Sequence, residues 1–310
     1  MSARDSVWLI PFIEELNYSL QMLRESLTLT DGRIFEFMRN GINSDSAIIL
    51  HAGTTQDISG WKIWLDNFAD HGVQGIAIGR SGYVGSTPKP GRITIDIAHD
   101  VAELADSLGI KKMVNVGLSG GGQHAIATGF DPRSVGVVTS GSLAPFAEMG
   151  ENFYTGMQQA DLDEYADALR DINDLVKRFQ NVFNDDVEAL VSGAEPSAND
   201  LKAKATPSSK VLIDSCTLTM NSGWDWVADD YSSYLQPWGF DPRDVQVPVV
   251  IWQGGLDKNV PSQHGRWLAE HIPHSTLKLV EDESHVGLFI NYENQQMQDA
   301  MDLLAGKQVS

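Results

Sequence analysis

The segment Gly117-Leu118-Ser119-Gly120-Gly121 sets a serine among glycines, directly after the apolar run Met113-Val114-Asn115-Val116 and before the small-residue stretch Gly122-Gln123-His124-Ala125-Ile126-Ala127. That order reads as strand, sharp turn and helix with a serine at the apex, the pattern of a nucleophile elbow. A serine hydroxyl attacks poorly unless a fixed base takes its proton. A tight turn holds the oxygen clear of the backbone for that base, and it requires tiny side chains two residues either side. Glycine and serine also mark ordinary turns, so the five letters need partners. Two lie downstream. Asp257 follows the β-branched run Val247-Pro248-Val249-Val250-Ile251-Trp252, within Gly254-Gly255-Leu256-Asp257-Lys258-Asn259-Val260-Pro261. His285 follows Thr276-Leu277-Lys278-Leu279-Val280 and the acidic loop Glu281-Asp282-Glu283-Ser284. The chemistry these three types can do together is acyl transfer: Ser119 as nucleophile, His285 as base, Asp257 orienting the imidazole and stabilising its cation.

Strands and helices must alternate to bring three such loops to one edge. Leu27-Thr28-Leu29-Thr30 and Arg33-Ile34-Phe35-Glu36-Phe37 flank Asp31-Gly32, a hairpin signal. Ala47-Ile48-Ile49-Leu50 reads as a buried strand, and residues 58–71 as a helix with Trp61, Trp64 and Phe68 on one face. Strand 73–78, helix 93–108, strand 111–116, the elbow helix and strand 135–140 continue the rhythm. This predicts an α/β fold, a mostly parallel sheet covered by helices on both faces. After Pro145 the rhythm breaks. Residues 146–222 are rich in Asp, Glu, Gln and Ala, with a helical pattern over Leu162 to Val176 and no convincing strand. We read them as a helical cap between a first core part, 1–145, and a second, 223–310, in which strand 247–252, helix 262–271, strand 276–280 and a helix near 287–304 resume the alternation. Trp8, Leu9, Ile10 and Phe12 suggest that the first 26 residues pack on something.

The chain resembles the α/β-hydrolase superfamily, and within it the bacterial alpha/beta fold hydrolases with a helical cap, from about Leu27 to about Phe289. Besides the Ser119, Asp257 and His285 segments, the resemblance rests on Gly79-Arg80-Ser81-Gly82-Tyr83-Val84-Gly85-Ser86-Thr87-Pro88, on Pro237-Trp238-Gly239-Phe240-Asp241 and on Gln253-Gly254-Gly255-Leu256-Asp257. The order Ser, Asp, His is that of this superfamily. It implies an oxyanion hole with one donor at the Gly120 N–H. The second should lie in His51-Ala52-Gly53-Thr54-Thr55, where such families usually carry His-Gly-x-Pro. Aligning on Gly53 favours the Thr54 N–H and aligning on His51 favours Gly53; we take Thr54.

Other roles compete for the same residues. Asp at the elbow would mark a dehalogenase or epoxide hydrolase, and Ser119 speaks against both. The acid can follow the sixth strand instead, but Glu148 is the nearest carboxyl there. His124 lies five residues past Ser119 and reads as a packing residue; His51 reads as shaping the oxyanion loop. Glu281, Asp282 and Glu283 read as a solvated loop that raises the pKa of His285 slightly. For the acyl-binding wall the candidates are Phe146, Met149, Phe153 and Trp224, the first three within an aromatic and methionine stripe that also holds Tyr154 and Met157.

Composition bounds the partners. Of 310 residues 42% are hydrophobic and 21% charged, ordinary for a globular chain, but 42 acidic against 22 basic residues leave a net charge of −20. Such a surface repels nucleic acid and anionic membranes. The lone Cys216 excludes an internal disulfide and any multi-cysteine metal site, and reads as a packing residue before a helix-like stretch. The amino terminus lacks the marks of a signal peptide, and no run approaches the ~20 apolar residues of a membrane span, so a cytoplasmic location is expected. These residues together predict a serine hydrolase acting on a small uncharged or cationic carboxylic ester, without metal or organic cofactor. Lactone, amide or carbon–carbon hydrolysis by the same triad, or a hydrolase-fold ligand sensor with little turnover, are the alternatives.

Overall fold

Strand runs with β-branched and aliphatic residues at every position, not at alternate ones, belong in a sheet covered on both sides. The computed structural model, which describes residues 24–183 and 198–309, builds them into one eight-stranded sheet. Its strands are β1 Arg24–Thr28, β2 Ile34–Arg39, β3 Ser46–His51, β4 Gln74–Ile78, β5 Lys112–Leu118, β6 Ser134–Ser140, β7 Val249–Gly254 and β8 Ser275–Val280, in the order β1-β2-β4-β3-β5-β6-β7-β8. The six from β4 to β8 run parallel, and the β1–β2 hairpin attaches antiparallel to β4. The residues suggested to pack near the amino terminus, Trp8 to Phe12, lie outside the described residues.

Alternation within a strand splits the core in two. Ile48 and Leu50 of β3 face one side, where helix α1 (Lys62–Asp70) brings Trp64, Leu65 and Phe68 and the carboxyl-terminal helix α12 (Glu293–Leu304) brings Met297, Ala300 and Leu303. Ala47 and Ile49 face the other, against Ile97, Val101 and Leu104 of α2 (Asp96–Leu108). The predicted helix over 58–71 is a short 3-10 turn, Ile58–Trp61, running into α1. The expected final helix is two, α11 (His285–Asn291) and α12, which meet at Tyr292, whose φ of −114° is not helical.

Between β6 and β7 the described elements are helical, among them α4 (Phe146–Met149), α5 (Gln159–Arg170), α6 (Ile172–Phe183), α7 (Ala198–Lys204), α8 (Pro207–Ser222) and α9 (Asp225–Leu235). The single helix expected over 162–176 breaks at Asp171, which is extended (φ −162°, ψ 121°) and whose carboxylate accepts the Asn173 N–H. An aspartate that satisfies a free donor of a following helix starts a helix in preference to continuing one. Cys216 does not precede a helix; it is buried within α8. Among the described residues no helix is long and apolar enough to cross a membrane.

The strand order reverses between β3 and β5, since the chain moves outward on one side through β4 and on the other through β6 to β8. Loops leaving adjacent strands in opposite directions open a crevice at the carboxyl ends, the default ligand position of such sheets.

Candidate active site

Ser119 is the first residue after β5, with φ of 51° in the left-handed region. A non-glycine residue there is strained, and neighbours that over-determine the turn must hold it. A Cβ on Gly117 would fall 2.6 Å from the Gly122 Cα, and one on Gly121 would strike the His51 and Ala52 carbonyl oxygens. The helix α3 (Gly122–Thr128) therefore approaches β3 and β5 backbone to backbone, and the flanking glycines are what allow it.

Asp257 and His285 come from the loops after β7 and β8. The Asn259 and Val260 N–H groups donate to Asp257 Oδ1 at 3.0 and 2.8 Å, and His285 Nδ1 lies 2.7 Å from Oδ2. A carboxylate only accepts, so Nδ1 carries the proton and Nε2 keeps its lone pair. Burial works against a charged imidazole, but the Asp257 carboxylate and then Asp161 and Asp200 raise the pKa of His285 above the ordinary value. These carboxylates, not the acidic loop, are the main causes; Glu281 and Asp282 of that loop are exposed as expected. Glu283 is buried, with Asn291 Nδ2 donating to it, and so is not part of a solvated loop. Gly141 at the end of β6 has φ of 57°, and a Cβ there would lie 2.9 Å from the imidazole and 3.2 Å from Asp257 Oδ2. The β6 backbone thus forms the back wall of the His285–Asp257 pair. Glu148, the rival acid, instead pairs with Arg243 at 3.2 Å on the surface.

Ser119, Gly120, Thr54 and His285 line one cavity of about 160 Å³. In the loop after β3, the Gly53 N–H donates to Gln56 Oε1 at 3.0 Å, the Thr55 N–H to Tyr83 Oη at 3.2 Å and the Gln56 N–H to the Gly53 carbonyl at 3.2 Å. Among the described residues the Thr54 N–H has no such partner. The Gly120 N–H belongs to a first helical turn, where backbone donors lack an intrahelical acceptor.

His51 and His124 are both fully buried. The His51 side chain turns away from the oxyanion loop toward Asn115 and Thr128, and burial lowers its pKa to about 3. His124 Nδ1 lies 2.7 Å from the Gly120 carbonyl and Nε2 lies 2.9 Å from Arg92 Nη1. Nδ1–H therefore donates to the carbonyl and Nε2 accepts from the guanidinium; burial, then Arg80 and Arg92, hold the ring neutral.

The wall of the cavity differs from expectation. Phe146, Met149, Phe153 and Trp224 are not among its lining residues. Phe153 is fully buried and packs edge-on against Phe146, Tyr154, Tyr165 and His264, while Trp224 lies against Trp226. An aromatic stripe at this spacing sinks into the core because burying it yields more than lining a wet pocket. The wall is instead made by Asp161, Glu164 and Tyr165 of α5, Phe179 of α6, and Tyr231 and Tyr234 of α9. Cys216 also reaches it, its thiol pushed up to about 11 by burial. Asp161 accepts from Asn259 Nδ2 at 3.2 Å and Glu164 from the Tyr231 hydroxyl at 2.6 Å. Burial raises them to about 7 and about 8. Nothing in the sequence separates these carboxyls from Asp163 and Asp167, which pair instead with Arg178 and, for Asp167, also with Arg170; only the pitch of α5 does.

An open sheet with this switch point, a strained serine after β5 and a carboxylate-paired histidine after β8 define a hydrolase fold. The family model described as "alpha/beta hydrolase fold" matches residues 46–292, and the chain belongs to that family. Solved structures with similar folds include an esterase from Exiguobacterium antarcticum (15% identity, TM-score 0.66, covering 91% of this chain and 100% of that one). An enol-lactonase from Burkholderia xenovorans LB400 aligns at 17% identity and TM-score 0.67, over 91% and 100%. A bromoperoxidase from Bacillus anthracis aligns at 17% and 0.68, over 92% and 100%.

Proposed function

We propose that the chain is a serine hydrolase that cleaves small carboxylic esters, uncharged or cationic, through an acyl-enzyme. The observation that carries this reading is the 2.7 Å contact of His285 with Asp257 beside the cavity that Ser119 lines. Ser119 Oγ attacks the carbonyl carbon while its proton passes to His285 Nε2, and the new oxyanion takes the Gly120 and Thr54 N–H donors. Collapse of the tetrahedral intermediate breaks the bond to the alkoxy oxygen, which leaves with the proton from His285. Water then repeats the two steps and releases the carboxylic acid. In this reading the helices of 146–222 act as the cap.

Cavity size and wall chemistry support the substrate class. About 160 Å³ lies below the ~300 Å³ at which drug-sized ligand pockets begin, which favours short acyl and alkyl groups. Among the described residues the wall carries two carboxyls and several aromatic faces with no Lys or Arg, a setting for a cation and a poor one for an anion. Arg80, which could have supplied a basic pocket, is buried against Asp230. The test is a fluorophosphonate label with mass-spectrometric mapping, run beside a panel of esters and lactones of graded size and charge. Labelling at Ser119 and turnover of short neutral esters are expected, and Ser119→Ala should lower kcat by ~10³-fold or more with the fold retained. A clean Ser119→Ala preparation with undiminished turnover would end the reading.

A further inference from the structure

The oxyanion loop is tied to a buried carboxylate on a helix that follows the inserted segment. Asp230 of α9 is fully buried and accepts from Arg80 Nη2 at 2.6 Å, from Arg92 Nη2, from the Tyr83 hydroxyl at 2.6 Å and from the Tyr234 hydroxyl at 2.8 Å. Because both tyrosines spend their protons on this carboxylate, their oxygens are left to accept. Tyr234 accepts from the Thr54 hydroxyl at 2.6 Å and Tyr83 from the Thr55 N–H at 3.2 Å. Arg80 reaches the same loop from the other side, its Nη1 donating to the Ala52 carbonyl. Arg92 carries the connection to the elbow: it donates to His124, which donates to the Gly120 carbonyl. A Cβ on Gly120 would meet Thr54 Oγ1 at 2.5 Å and the Tyr234 ring carbon that bears the hydroxyl at 2.7 Å, so the phenol sits against the elbow itself.

We propose that Asp230 is a positioning residue for the oxyanion hole, fixing the Thr54 donor through Tyr234, Tyr83 and Arg80 and the Gly120 donor through Arg92 and His124. It touches neither substrate nor the reacting atoms. Two donors from two loops must be held to a fraction of an ångström to stabilise a developing oxyanion, and a rigid network behind them supplies that. The guanidinium groups, acting against burial, keep the Asp230 carboxylate ionised well below the usual range, so the network does not loosen at working pH. This inference rests on the serine-hydrolase reading.

Tyr234→Phe tests it with the least disturbance, since only a hydroxyl is lost. Removing a whole oxyanion donor costs ~10²–10³-fold in kcat, so loosening one should cost ~10-fold. KM for a short neutral ester should change less than threefold. Affinity for a short alkylboronic acid, whose boron takes up the Ser119 oxygen to give a tetrahedral anion while the proton passes to His285, should fall by the same factor as kcat. Thr54→Val should match Tyr234→Phe, the double variant should lose little more than either, and Thr54→Ser, which keeps the hydroxyl, should restore activity. Asp230→Asn should lose more if it folds. Wild-type kcat and boronate affinity in folded Tyr234→Phe would overturn the inference, as would additive losses in the double variant. Fluorophosphonate labelling of the wild type separates the two levels: labelled Ser119 with an indifferent Tyr234→Phe rejects the positioning role alone, whereas an unlabelled wild type rejects the hydrolase reading and this inference with it.

Discussion

When His285 can accept a proton depends on the carboxyls around it. Burial disfavours the imidazolium, while Asp257 in contact and Asp161 across the cavity favour it, with the balance upward. The acid limb of kcat/KM should therefore lie above the ordinary imidazole value of ~6.5. The sign for a variant follows. Asp161→Asn removes a negative charge that stabilises the cation, lowers the pKa of His285 and moves the limb to lower pH. A pH profile with a neutral ester measures this, and an unmoved or upward-moved limb would place Asp161 outside the electrostatics of His285. Burial pushes Asp161 up to about 7 and Glu164 to about 8, so a cationic ester should gain on a neutral one as pH rises through that region, and the gain should shrink in the variant to the part that Glu164 supplies. Of these groups, Ser119, Asp257 and His285 were legible in the sequence because each follows a strand and sits in a turn of recognisable chemistry. Asp161 and Glu164 were not, since an inward carboxyl on an acidic helix has the same local signature as a solvated one. Asp230 meets Arg80 and Arg92, 150 and 138 residues away, a distance over which spacing carries no signal.

At the scale of elements, the site rests on a sheet whose strands were readable from their apolar runs and on helices whose ends were less so. Asp171 looks from its neighbours like one more polar residue of a long helix, and Tyr292 like a core position; only the backbone at each shows the break. Trp61, Trp64 and Phe68, which the helical spacing puts on one face, are all buried. Trp64 stacks on Phe289 (centroids 5.6 Å apart, planes 11° apart) and meets Phe68 edge-on at 6.1 Å. Phe289 in turn lines the cavity from α11. One contiguous aromatic cluster therefore packs against α11, whose start at His285 is capped by the Ser284 hydroxyl accepting the Gly287 N–H. Phe68→Ala, at a fully buried position, should cost ~3–5 kcal/mol through lost transfer energy and the cavity left behind. Denaturant unfolding measures this; a loss below ~1 kcal/mol would mean that α1 is not anchored by this cluster.

For the whole molecule, the net charge of −20 acts on substrates before any contact is made. A charged surface changes the local concentration of small ions through a field that salt screens, with a Debye length of ~10 Å at 0.1 M and ~3 Å at 1 M. Once pH passes the range in which Asp161 and Glu164 ionise, about 7 and about 8, the cavity wall has the same sign as the surface, so field and pocket act together. Matched short esters that differ only in charge should therefore rank cationic, then neutral, then anionic in kcat/KM at low ionic strength. Added salt should pull the first down and the last up toward the neutral value, which should itself hardly move. The part of the gap that salt removes belongs to the surface. The part that survives high salt belongs to Asp161 and Glu164, because charges facing each other across a cavity are screened far less than exposed ones. Asp161→Asn combined with Glu164→Gln should remove that residue of discrimination and leave the salt-sensitive part in place. Measuring kcat/KM for the three esters at low and high salt, in wild type and double variant, separates the two. An anionic ester preferred at low salt would require a basic group in the cavity, and among the described residues no Lys or Arg lines it, so that result would overturn the substrate class while leaving Ser119, His285 and Asp257 untouched.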